Sequence, residues 1–245
     1  MRIFFTYTVK LIGGKIVNIK ILQLIEGAKA ARGLTVIIDV FRAFSLEAYM
    51  LSAGAECVYP IGEVEKAYKA KEKHPDWILA GERGGAILPK FDTGNAPSEL
   101  YKLDLAGKTV VHTTSAGTQG VANATGASEI LGASLVNARA TAEYIKSVGA
   151  ETVSLVCMGL EAKKPTEEDT LCARYIKAIL EGTENEIDMN AEIENLKTTS
   201  GAKFFDEKQK NVFPRADFFM CTDVDKFNFA IRYDAMTGRM LKTTV

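Results

Sequence analysis

From Leu34 onward, short apolar runs alternate with helical stretches, and this repetition limits the folds open to the chain more than any other feature. Strand-like runs fall at 34–39, 56–61, 77–81, 108–112, 129–132 and 152–157, with helical stretches at 45–54, 63–73, 97–103, 116–124 and 138–148 between most of them. Strands that alternate with helices need crossover connections, which predicts a three-layer αβα arrangement around a largely parallel or mixed sheet. Pro165-Thr166-Glu167-Glu168-Asp169 opens a further helix, with Thr166 as its expected cap and Gly182 as its stop. Residues 185–210 are polar and read as helical surface cover, and 229–233 and 239–242 read as a hairpin around Met236-Thr237-Gly238. A second hairpin is expected over 3–22 around Gly13-Gly14, unless that stretch is a dispensable extension from a misassigned start. With no repeat or proline-rich linker, residues 1–245 are expected to form a single α/β domain carrying C-terminal helical and hairpin additions.

Composition narrows the partners. A net charge of −1 offers no basic face to nucleic acid or to an anionic membrane, so a small-molecule anionic ligand is favoured. Four scattered cysteines without a Cys-x-x-Cys pair suggest neither a zinc knuckle nor a redox pair, and a cytoplasmic location is expected. The first twenty residues contain too short an apolar run for a signal core or membrane span. Homo-oligomerisation is the default expectation for such a chain.

Four segments after strand-like runs concentrate the positioned chemistry. Ligands of open α/β sheets lie beyond the carboxyl ends of the strands, so these segments can converge. Asp39, with Arg42 three residues on, can bind a metal and grip an anion, or can equally form an ion pair capping the next helix. Gly81-Glu82-Arg83-Gly84-Gly85 surrounds an acid and a base with glycines, as a tight turn or a close approach to a ligand requires. Asp92, Thr93 and Asn95 lie in a turn-rich loop kept for its nearness to Glu82. Thr113, Thr114, Ser115, Gly117 and Thr118 offer hydroxyls and amides to a phosphate, although a hydroxyl-rich helix cap would look the same. Neither usual nucleotide fingerprint is present. Cys157 lacks the arginine of a Cys-x5-Arg phosphatase loop, Asp223-Val224-Asp225 lacks the context of a dehalogenase-type nucleophile, and His112 reads as a satisfied core residue.

The order Asp39-Val-Phe-Arg-Ala, Gly81-Glu-Arg-Gly-Gly, Phe91-Asp-Thr-Gly-Asn-Ala-Pro, Thr113-Thr-Ser-Ala-Gly-Thr, Asn137 and Glu168-Asp169 resembles the 2-phosphosulfolactate phosphatase family, from about Leu34 to Gly182. The resemblance implies a Mg²⁺-dependent phosphomonoesterase that converts 2-phosphosulfolactate to 3-sulfolactate, a step of coenzyme M formation in methanogens. It implies magnesium ligands Asp39, Glu82 and Asp169, catalytic roles for Asp39, Arg42, Glu82 and Arg83, and substrate contacts from Asp92, Asn95, Thr113, Thr114, Ser115, Gly117, Thr118 and Asn137. Phe44 and Ala116 stand where the family usually has polar residues, which on this reading removes two polar groups from the pocket. The alternative is a non-catalytic sensor that binds a phosphorylated or sulfonated metabolite in the same pocket.

Overall fold

The computed structural model describes residues 6–12 and 15–244, with side chains from Val17 onward. The chain opens with β1 (Thr6–Ile12), β2 (Lys15–Gln23), α1 (Leu24–Ala30), β3 (Gly33–Ile38), α2 (Ala43–Ser52), β4 (Cys57–Pro60) and α3 (Val64–Lys73). It continues through β5 (Ile78–Arg83), β6 (Ala86–Ile87), β7 (Thr109–Thr113), α4 (Gly117–Asn123), β8 (Ala127–Ala133), α5 (Ala138–Val148) and β9 (Thr152–Cys157). The rest comprises α6 (Glu167–Glu181), α7 (Met189–Leu196), α8 (Arg215–Cys221), β10 (Phe229–Asp234) and β11 (Arg239–Thr244). The expected hairpin near the start is present as β1 paired with β2, although its Gly13-Gly14 turn lies outside the described residues.

Among the described residues the sheet order is β1-β2-β9-β3-β8-β10-β11-β4-β7-β5-β6. The strands β2, β9, β3 and β8 are mutually parallel, as are β4, β7 and β5. The hairpin β10–β11 lies between the two groups and pairs antiparallel with β8 on one side and β4 on the other. Three successive antiparallel pairings make the groups run in opposite senses. A twist of about 20–25° per strand, summed over the steps from β3 to β7, turns the groups by more than a right angle, and strand ends from both can then meet.

Alternation along β3 shows both sheet faces covered, as a strand buried on both sides requires. Val36 and Ile38 pack with α5 and α6 residues such as Ile145 and Ile176, and Ile37 packs on the other face with Leu46 of α2 and Val121 of α4. These are the outer layers of the three-layer fold. Phe44 belongs to the second core, with no exposed surface, and lies over Gly132 of β8. A Cβ on Gly132 would stand 2.4 Å from the Phe44 ring, so Gly132→Ala should cost about 1–3 kcal/mol through forced repacking. A melting temperature lowered by several degrees, with an unchanged far-ultraviolet spectrum, is the expected result.

Several local expectations need correction. Thr166 occupies the cap position of α6, yet its hydroxyl is buried without a hydrogen-bond partner; the start is favoured instead by the acids of the first turn, and Gly182 closes the helix at φ 71°. Pro97–Lys102 forms a 3₁₀ helix. The strand expected at 77–81 continues to Arg83, and Gly84 and Gly85, with φ of 60° and 85°, turn it into β6; positive φ at both centres is the type I′ geometry, one of those that match the strand twist. The segment 185–210 is helical only over α7 and two 3₁₀ turns, at Glu184–Glu186 and Ala202–Phe205; it enters the core, where Phe204 is 2% exposed.

Candidate active site

The ends of β3, β5, β7 and β9 deliver their following segments to one cavity of about 80 Å³, closed on the far side by residues between α7 and α8. Its lining includes Asp39, Phe41, Arg42, Glu82, Asn95, Ser115, Ala116, Glu161, Glu168, Lys203 and Phe213.

Asp39 sits where buried β3 ends. Its Oδ1 accepts from the Ala43 amide at 3.1 Å, and its carbonyl accepts from Phe44 at 3.1 Å, which turns the chain directly into α2. Gly117 permits the opposite wall to close, because a Cβ there would stand 2.7 Å from the Ala43 Cβ and 3.0 Å from Asp39 Oδ2. Burial pushes the Asp39 carboxyl up to about 6; the Ala43 amide opposes that rise, and the charges of Glu82 and Glu168 add to it.

Glu82 fastens two segments together. Its Oε1 accepts from the Ser115 amide at 2.7 Å, and its Oε2 accepts from the Gly85 amide at 2.6 Å and the Ser115 hydroxyl at 3.2 Å. Asp169 does the same on the other side, accepting from the Val40 amide at 2.8 Å and the Gly159 amide at 2.7 Å. Asp169 is therefore a buried clamp between the β3 and β9 segments and does not line the cavity, contrary to its expected place as a ligand. Its neighbour Glu168 does line it, because adjacent helical residues point about 100° apart. Burial raises the Glu168 carboxyl, the Ser200 and Thr166 hydroxyls and the Lys203 charge beside it oppose that rise, and its buried Oε2 makes no direct hydrogen bond.

The two arginines are less available than expected. Arg42 donates to Asp217 at 2.7 Å, to the Val212 carbonyl at 2.9 Å and to the Gly85 carbonyl at 3.3 Å, and its guanidinium lies 5.0 Å from the Phe213 ring. Arg83 is turned away from the cavity toward the carbonyls of Glu82 and Gly62 and the Thr113 hydroxyl. Thr114 and Thr118 close a ring of hydrogen bonds on each other, Asp92 braces Leu79 and Lys71, and Asn137 caps the Ser134 turn. The side chains of Arg83, Asp92, Thr114, Thr118 and Asn137 do not line the cavity, because their polar atoms are spent on the surrounding backbone and on neighbouring side chains.

Asn95 and Ser115 do reach it, and Asn95 is backed by a buried chain in which the His112 ring bridges Asn95 at 3.1 Å and Glu47 at 2.8 Å. Ala116 lines the wall but Phe44 lies in the core, so only one of the two departures from the family pattern alters the cavity. Sequence reasoning also missed Lys203 and Asp217. Neither carries a local motif, and both act from beyond residue 200 on segments near the start of the chain.

The family described as 2-phosphosulpholactate phosphatase matches residues 19–235. A probable 2-phosphosulfolactate phosphatase of Bacillus subtilis is 31% identical over 195 residues, covering 79% of this chain and 83% of that protein. Proteins with the same description from Caldicellulosiruptor saccharolyticus and Thermus thermophilus are 40% and 39% identical, over 57% and 53% of this chain. For those two the match spans 59% and 54% of the relative's length, a little over half.

Proposed function

Because this chain belongs to the 2-phosphosulfolactate phosphatase family, we propose that its cavity hydrolyses 2-phosphosulfolactate to 3-sulfolactate and phosphate. The observation that carries the reading is the cavity's charge. Four acids, Asp39, Glu82, Glu161 and Glu168, line it against two bases; Arg42 is paired with Asp217 and Glu161 with Lys163, which leaves three acids against Lys203. A polyanionic substrate enters such a site only with a cation, and a divalent one fits the oxygen donors present.

Among the described residues no three acidic, histidine or cysteine side chains are drawn into a ready-made metal cluster. Magnesium does not require one, since it keeps several waters and is commonly held by one or two carboxylates together with substrate phosphate. Glu168, with its unpartnered Oε2, and Asp39 would hold Mg²⁺. When bound, the ion would screen the phosphoryl oxygens and acidify a water. Glu82 keeps Ser115 at the wall where the phosphoryl group would rest, and Arg42, held by Asp217, shapes the floor. In this reading the chain acts as one cytoplasmic unit: both strand groups contribute to the cavity, and the four cysteines are buried and unpaired, as suits a reducing compartment. No helix among the described residues is long and apolar enough to cross a membrane.

The test is phosphate release from 2-phosphosulfolactate with Mg²⁺ and with chelator, beside a melting curve in each. Release that needs the metal, with a melting temperature raised by Mg²⁺, is expected, because any ligand bound only by the native state stabilises it. Release that continues in chelator would reject the metal role. Release from other phosphomonoesters but not from this one would reject the substrate.

A further inference from the structure

We propose that Lys203 receives the anionic group of the substrate that is not transferred, a sulfonate or carboxylate, and so sets the preference for acidic phosphoesters. The inference rests on the phosphatase reading above and assigns the cavity's recognition chemistry.

Arg42 and Lys203 are the cationic side chains among the described residues that line the cavity. The Arg42 fork is spent on Asp217 and two carbonyls. The Lys203 ammonium, in contrast, makes no direct hydrogen bond or ion pair among the described residues; the charges of Glu168, Asp39 and Asp169 act on it from nearby, and three phenyl rings surround it, Phe213 at 5.1 Å, Phe204 at 5.5 Å and Phe41 at 5.8 Å. Ring faces steady a cation but accept no full hydrogen bond, so the ammonium keeps donor capacity for a ligand in the cavity. The carrier is firm: Phe204 is buried beside Lys203, and its amide bonds the Gly201 carbonyl at 3.0 Å, while the Gly201 amide bonds Leu196 at 2.8 Å. Apolar walls also exclude water, which strengthens attraction between the ammonium and an incoming anion.

Elimination assigns the group. With a cation that Asp39 and Glu168 would hold taking the phosphoryl end, the second acidic group of the substrate would have to find charge elsewhere in the lining. Lys203, whose ammonium faces the charge of Glu168 without a direct bond to it, is the cation of the described lining whose donors make no hydrogen bond.

Lys203→Met and Lys203→Arg should be compared with wild type on 2-phosphosulfolactate and on a neutral alkyl phosphomonoester, both with Mg²⁺. Loss of a charge-assisted contact predicts a KM for 2-phosphosulfolactate raised about 10- to 100-fold in Lys203→Met. The ratio of kcat/KM between the two substrates should collapse by the same factor, with partial recovery in Lys203→Arg. An unchanged ratio, or equal losses on both substrates, would overturn the assignment. Calorimetric binding of 3-sulfolactate separates this inference from the parent reading. Should wild type release no phosphate, binding by wild type and its loss in Lys203→Met would still uphold Lys203; binding retained in Lys203→Met would sink it. Melting curves show whether Lys203→Met is folded, and if it is not, Lys203→Arg carries the same ratio test.

Discussion

Asp39→Asn should lower phosphate release from 2-phosphosulfolactate about a thousandfold while leaving the fold intact. The expectation joins two properties of one carboxylate: it faces the cavity, and it is held in a buried place that disfavours its charge, with the carboxyl pushed up to about 6. Asparagine keeps an oxygen for the Ala43 amide and removes the charge. The stability consequence has a definite sign. In the unfolded chain the carboxyl ionises near the ordinary value of 3.8, so the folded state holds the proton more tightly. Its advantage is complete below that value and is lost as pH rises through about 6. In chelator, wild type should therefore lose melting temperature relative to Asp39→Asn between pH 4 and 6 and then run level. Activity within tenfold of wild type would remove Asp39 from the reaction, and a pH-independent difference in melting temperature would contradict the account of its burial.

The largest effect on stability is expected at Asp217. Its Oδ2 accepts from Arg42 at 2.7 Å and its Oδ1 from the Ser98 amide at 2.9 Å, with neither member of the ion pair more than 3% exposed. Substituting Asp217 by Asn leaves a guanidinium buried without its counter-charge, which costs about 3–5 kcal/mol, or on the order of 10 °C in melting temperature for a chain of this size. Pairing it with Arg42→Met should recover part of the loss, because both charges are then gone. A single variant that melts within 2 or 3 °C of wild type, on this roughly 2–4 °C per kcal/mol scale, would show that water reaches the pair.

The order of strands and helices was legible because buried strands and amphipathic helices impose different periods on the apolar residues. The segments that form the cavity were legible for a related reason: charge and glycine at the end of an apolar run have few structural uses. What each charged group does once there was not. Arg42 looks like a substrate anchor in its own segment and becomes a structural one only because Asp217, 175 residues away, closes on it. Glu168 and Asp169 are neighbours in sequence, and which one faces the cavity depends on how α6 is rotated against the sheet. Phe44 occupies a position expected in the pocket, yet the turn after Asp39 swings it into the core over Gly132. Lys203 stands in a polar stretch where nothing local distinguishes it from a solvated lysine.

The placement of β10 and β11 between the two parallel groups has a consequence for the order of events in synthesis. Asp39 and Glu168 come from one group, Glu82 and Ser115 from the other, and the strands that bridge them leave the ribosome after everything they join. Each half can begin to form its local crossovers while the chain is still growing. The two sides of the catalytic hollow, however, are not joined in one sheet until β10 and β11 have been made, so a nascent chain that stops short of them carries the lining residues without the sheet that holds its two halves together.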